Sequence, residues 1–127
     1  VKWETLDELT SEDIIDSRDL IELQEEIVSI LDDNEAIVSG EYDTDELNTM
    51  LSAIEDCATV SSDWRYGAVF IRDSFFETYA QELAADISGW ERDLEWPLSY
   101  IDWEAAADAL KMDYSAVEIG GVTYWSR

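Results

Sequence analysis

The amino-acid sequence predicts an α+β fold: an acidic N-terminal helical hairpin over residues 1–63, then a small helix-rich domain over 64–127 that closes on a β-hairpin. Three observations carry that expectation. Apolar residues recur at helical spacing twice in the first half, two more helical stripes follow, and alternating segments flank a Gly-Gly pair near the C-terminus. The 127 residues suffice for one domain, or for one compact unit with a helical extension. With 46% apolar residues, six Trp and six Tyr, the chain can build a core, which argues against disorder.

Thr10-Ser11-Glu12-Asp13 has the form of a helix start, with Thr10 as N-cap and an acid three residues on. Ile14, Leu20, Ile21, Leu23, Ile27, Val28, Ile30 and Leu31 then place a helix of about five or six turns ending near Asp32. Residues 33–43, with Gly40, read as a loop. Thr44 is the expected cap of a second helix with the stripe Leu47, Met50, Leu51, Ile54, Cys57 and Ala58. The short connection makes the two helices an αα-hairpin.

Residues 60–63 break the pattern, and residues 66–71 suit either a short buried strand or the lead-in to a helix. From Asp73, the residues Phe76, Tyr79, Ala80, Leu83 and Ile87 draw a third helix closed at Ser88-Gly89. Residues 90–99, with the sole proline Pro97, read as a loop. Asp102 is the expected N-cap of a fourth helix that buries Trp103, Ala106, Ala107 and Leu110. Residues 116–119 and 122–125 flank Gly120-Gly121, which supplies the positive φ angles of a two-residue hairpin turn.

Charge is the anomaly. There are 32 Asp and Glu against 7 Lys and Arg, a net of −25, where solubility of a small domain needs a magnitude of only about 2 to 8. The excess costs stability through self-repulsion and so requires another reason. A basic protein partner, many bound cations or a high-salt environment would each supply one. A membrane surface is excluded on sign, since cytoplasmic leaflets are anionic, and direct nucleic-acid binding fails for the same reason. One cysteine, Cys57, leaves no intramolecular disulfide and favours a reducing cytosol. No apolar run approaches the ~20 residues of a membrane span, and no secretory signal opens the chain.

Catalytic and metal motifs are absent. Without His the commonest general base and transition-metal ligand are missing. No phosphate loop or nucleophile–imidazole pairing exists, and a pair of carboxylates chosen from 32 has no specificity, so no enzyme and no cofactor is expected. The runs Asp32-Asp33-Asn34-Glu35 and Asp43-Thr44-Asp45-Glu46 lack the Gly and Glu positions of an EF-hand loop. A solvated loop and a helix cap describe them better than a metal site.

The acid pattern remains. Glu12, Asp16, Asp19, Glu22 and Glu26 step by three or four residues along the expected first helix, placing neighbours about 5 to 6 Å apart. Phosphates on one DNA strand advance by about 3.4 Å per step, a comparable spacing. Asp32, Asp33, Glu35, Asp43, Asp45 and Glu46 extend this acidic set, which is the candidate partner-binding surface. Residues 1–63 hold 20 acids and 2 bases, a net of −18, against −7 for residues 64–127, so acidity concentrates in the first half.

The C-terminal part resembles a known family. Residues 98–110, with the motif Tyr100-Ile101-Asp102-Trp103, and the closing Gly-Val-Thr-Tyr-Trp strand are similar to the C-terminal end of ArdA-type antirestriction proteins. Residues 75–84 fit the acidic helix upstream of that motif, so the resemblance covers about residues 70–127. It implies a phage or mobile-element protein that mimics bent DNA, occupies the basic DNA-binding groove of a restriction–modification enzyme, and forms homodimers. ArdA proteins are longer, with three small domains, and the helical hairpin departs from their pattern. The charge is equally compatible with an anti-CRISPR role against effectors that hold nucleic acid in basic channels, or with an acidic adaptor that binds a basic protein without imitating DNA.

Overall fold

The computed structural model describes residues 3–40, 42–89, 96 and 98–127. Along them run α1 (Leu6–Thr10), β1 (Ile14–Asp16), α2 (Ser17–Leu31), α3 (Asn34–Val38), α4 (Thr44–Val60), β2 (Val69–Arg72), α5 (Asp73–Ser88), α6 (Trp103–Lys111), β3 (Ser115–Ile119) and β4 (Val122–Ser126). Short 3-10 turns occupy Trp64–Tyr66 and Leu98–Tyr100. The strands form one antiparallel sheet in the order β1-β2-β4-β3.

Alternation along the strands sends successive side chains to opposite faces. Phe70 of β2 and Tyr124 of β4 enter a core shared with Leu9 of α1, Leu20 and Ile27 of α2, and Met50 and Ile54 of α4. Their chain neighbours Ile71 and Trp125 turn the other way and meet Phe76 and Ala80 of α5 and Ala107 of α6. The sheet is thus the middle of three layers. The fold is α+β, with the C-terminal hairpin where the sequence places it.

The first expected helix is divided. Thr10 does not cap it but ends α1, and its hydroxyl donates back to the Leu6 carbonyl at 2.8 Å. The β-branched residues Ile14 and Ile15 then favour extended backbone and pair with Ile71 and Phe70. α2 starts only at Ser17, where the Asp16 carboxylate accepts from the Arg18 backbone N–H at 2.9 Å. Asp43 rather than Thr44 caps α4, accepting from the Glu46 N–H at 3.2 Å. The expected 33–43 loop contains α3, capped by Asp33. A further helix start lies at Thr5-Leu6-Asp7-Glu8, where Thr5 caps α1 and accepts from the Glu8 N–H at 3.2 Å.

The undecided segment 66–71 becomes strand from Val69. Gly67, at φ +101°, lets the backbone pass under Arg18, whose Nε would lie 3.0 Å from an added Cβ. α5 ends at Gly89 as expected, and Asp102 caps α6 by accepting from the Ala105 N–H at 3.1 Å. Most of the expected 90–99 loop, with Pro97, lies outside the described residues, as does Lys2.

The expected boundary at residue 63 does not divide the core. β1 pairs with β2, and α4 shares its buried cluster with Val117 and Ile119 of β3. Tyr124 adds a polar tie across the chain: its hydroxyl donates to the Glu12 carbonyl at 2.6 Å, and burial pushes its pKa up to about 12. Cys57 is wholly enclosed, and burial raises its thiol to about 12, which makes it a packing residue. On the other face, Asp73 accepts from Trp125 Nε1 at 2.9 Å and from Lys111 Nζ at 3.0 Å. The Lys111 ammonium also lies over the Phe76 and Trp125 rings, 5.3 and 5.2 Å from their centroids. These hydrogen bonds, first from Trp125 and then from Lys111, hold the Asp73 carboxyl below its ordinary range.

Phe70→Ala is expected to cost about 3 to 5 kcal/mol and to lower the stability of both halves together. Urea unfolding followed separately by fluorescence and by far-UV circular dichroism should give coincident single transitions; two separate ones would contradict the shared core. A depressed folded-state pKa means that Asp73 adds stability above its unfolded value near ~3.9, and that this is lost as pH falls through the folded value. The stability difference between wild type and Asp73→Asn should therefore shrink on acidification below about pH 4, as measured by urea titrations at stepped pH.

Candidate functional site

The candidate surface is built on α2 and on the junction from α2 to α4. Leu20, Leu23 and Ile27 anchor one side of α2 in the core. Beside that stripe Asp19, Glu22 and Glu26, together with Leu23, line one shallow depression of about 50 Å³. Their three- and four-residue steps follow the helix surface, and a rise of about 1.5 Å per residue fixes them roughly 4.5 and 6 Å apart along the axis. Since the adjoining stripe of the helix is buried, the row is held by packing and does not depend on flexible loops.

Glu12 and Asp16 are not part of that row. Glu12 precedes β1, outside any helix, and its Oε1 accepts from Trp3 Nε1 at 3.3 Å. Asp16 caps α2 and also grips the Arg18 guanidinium, with Oδ2 2.7 Å from Nη2 and Oδ1 3.1 Å from Nε. That hydrogen-bonded pairing raises the Arg18 pKa. The expected five-residue face therefore reduces to three because the chain is extended through residues 14–16.

The remaining predicted acids divide the same way. Asp33 and Asp43 spend their carboxylates on capping α3 and α4. Glu46 reaches back to α1, its Oε1 accepting from the Leu6 backbone N–H at 2.8 Å. Asp32, Glu35 and Asp45 are exposed and make no side-chain hydrogen bond or ion pair among the described residues. Exposed Glu22 and half-buried Glu26 likewise make no side-chain hydrogen bond or ion pair among the described residues. Acids at the starts of α3 and α4 also suit the positive ends of those helix dipoles.

Arg18 lies close enough to attract both Asp16 and Asp19. Among the described residues, the ion pairs are Arg18 with Asp16 and Lys111 with Asp73. No group of three or more His, Cys, Asp or Glu residues is arranged to hold a metal ion among the described residues. No helix among them is long and apolar enough to cross a membrane.

The motif residues have a local structural role. Tyr100 closes the second 3-10 turn and is exposed, Ile101 and Trp103 are half-buried, and Asp102 caps α6. Exposed Tyr66, Trp96 and Tyr100 offer aromatic surface outside the acidic row, which residue type alone could not separate from core aromatics. Comparison with protein-family models, curated proteins and solved structures gives no match to this chain.

Two single substitutions should separate the structural acids from the surface acids. Asp16→Ala is expected to lose about 1 kcal/mol through the cap, whereas Glu22→Gln should stay within about 0.5 kcal/mol of wild type or stabilise it by relieving repulsion. Chemical denaturation of both variants in one buffer makes the comparison; equal losses would contradict the division.

Proposed function

We propose that this chain is a DNA-mimic inhibitor of a host defence nuclease, a phage or mobile-element product that occupies the enzyme's basic nucleic-acid groove. The observation that carries this reading is the acidic row Asp19, Glu22 and Glu26 on a helix that Leu20, Leu23 and Ile27 hold in the core. Like-charged neighbours on a helix each cost about 0.2 to 0.5 kcal/mol. Retaining several of them, with a chain net charge of −25, is understandable where a strongly basic partner recovers the loss. The likeness of residues 98–110 to the ArdA-type C-terminus points to the restriction–modification class of target.

The mechanism is competitive. Carboxylates held at phosphate-like spacing meet the Lys and Arg residues that line a DNA channel. The long-range field of the chain speeds encounter, and binding weakens as salt screens it. Asp32, Glu35 and Asp45 extend the contact beyond α2. Asp16, Asp33 and Asp43 act indirectly, by capping the helices that carry the row.

Neutralising Asp19, Glu22 and Glu26 together as Asn, Gln and Gln should weaken inhibition of a captured nuclease by about tenfold or more, while single changes stay within about threefold. Asp16 is left intact so that α2 keeps its cap. The assay is inhibition at increasing duplex DNA, with folding checked by circular dichroism. Full inhibition by the folded triple variant would remove α2 from the interface, and a nuclease that binds DNA and this chain at once would overturn mimicry itself.

A further inference from the structure

β3 is the outermost strand of the sheet, with β4 on one side and no strand on the other. In an antiparallel hairpin closed by two residues, the pair flanking the turn exchanges hydrogen bonds, and alternate residues point their backbone groups away from the partner. Ile119 and Val122 flank Gly120-Gly121, both glycines at positive φ. Val117 and Ser115 therefore bond to β4 with Ile119, while Ala116 and Glu118 direct their N–H and C=O to the free edge. No further backbone partner among the described residues takes these groups.

The edge is not blunted in the usual ways. Its five residues, Ser-Ala-Val-Glu-Ile, contain no proline and no lysine. The opposite edge strand, β1, has only three residues. Beside the turn end of β3 lies an open groove of about 550 Å³, walled by Asn48, Thr49, Ser52 and Asp56 of α4 on one side and by Glu118 and the Gly120-Gly121 turn on the other. The small side chains leave room for a backbone, and at Gly121 the space an added Cβ would fill is open. A new strand would lie about 4.8 Å outside β3 and enter this groove at the turn end. The groove's ionisable residues, Asp56 and Glu118, are both acidic.

We infer that the groove between α4 and the edge of β3 receives an extended basic segment of a partner protein, which adds to the sheet as a fifth strand. Backbone bonds to Ala116 and Glu118 supply affinity without sequence preference. Asp56 on the α4 side and Glu118 on the other face of the strand attract lysine or arginine on both faces of the incoming strand, and Asn48 and Ser52 offer neutral hydrogen-bonding groups on the α4 side. A second copy of this chain is disfavoured as the occupant, because each copy carries a net charge of −25. This surface uses residues other than the acidic row of α2, so it gives the chain a second and sequence-tolerant hold on a basic protein.

The test uses the full chain and a blocked heptapeptide, Lys-Lys-Val-Val-Lys-Lys-Val, which carries lysine on both faces when extended. Its control is a peptoid with the same side chains and charge, which has no backbone N–H. The peptide is expected to bind, to slow hydrogen exchange of the Ala116 and Glu118 amides, and to bind at least about tenfold more tightly than the peptoid. The double variant Asp56→Asn, Glu118→Gln should weaken binding by about tenfold although it changes the total charge little. Ala116→Pro removes an outward N–H without touching the β4 ladder and should abolish peptide binding; the double variant keeps the test valid if this one misfolds. Absence of peptide binding, equal binding of peptide and peptoid, or unchanged exchange at both amides would overturn the inference. Protection of these amides in the protein alone, rising with its concentration, would overturn the basic segment as occupant in favour of a second copy.

Discussion

The β2–β4 pair is the constraint on which the other elements depend. Ile71 opposes Trp125 and Arg72 opposes Tyr124, so each strand offers one large side chain to each layer. Phe70 and Tyr124 fix the position of α1, α2 and α4, and Ile71 and Trp125 fix that of α5 and α6. A shift of one residue in this pairing would exchange the two faces and leave both helical layers without their partners. The Tyr124–Glu12 bond and the Asp73–Trp125 bond each anchor one layer to β4.

That apolar centre carries an unusual electrostatic load. Repulsion among 32 carboxylates acts throughout the molecule, yet many acids are turned to local use. Four of the helices begin under an Asp carboxylate that accepts backbone N–H groups, at Asp16, Asp33, Asp43 and Asp102. Each such cap is worth about 1 kcal/mol, which offsets part of the like-charge cost. The acids without such a role, on the outer side of α2 and at the α2–α4 junction, remain available to a partner. Function is therefore sought in the acids that do least for the fold.

The two proposed contact surfaces differ in physics. The α2 row acts through spacing and charge, so it should respond to salt and tolerate loss of any one member. The β3 edge acts through directed backbone hydrogen bonds in a groove, so it should respond to geometry. An inhibitor with both would combine fast electrostatic capture with a slower-dissociating anchor.

The amino-acid sequence alone determined the net charge, its concentration in residues 1–63, the stripes of α4 and α6, that of α5 except for Ile87, which is exposed, and the Gly-Gly hairpin. These follow from local periodicity, capping and backbone sterics, which neighbours in sequence suffice to specify. Tertiary structure alone decided that Ile14 and Ile15 form a strand, because their gain comes from pairing with Ile71 and Phe70, more than fifty residues away. That pairing removed Glu12 and Asp16 from the acidic face and carried one core across residue 63. It also decided which acids serve the fold, since the Glu46 bond to Leu6 and the Asp73 bond to Trp125 join residues far apart in the chain. The free edge of β3 was likewise invisible in the sequence, because strand order is set by long-range pairing and not by local composition.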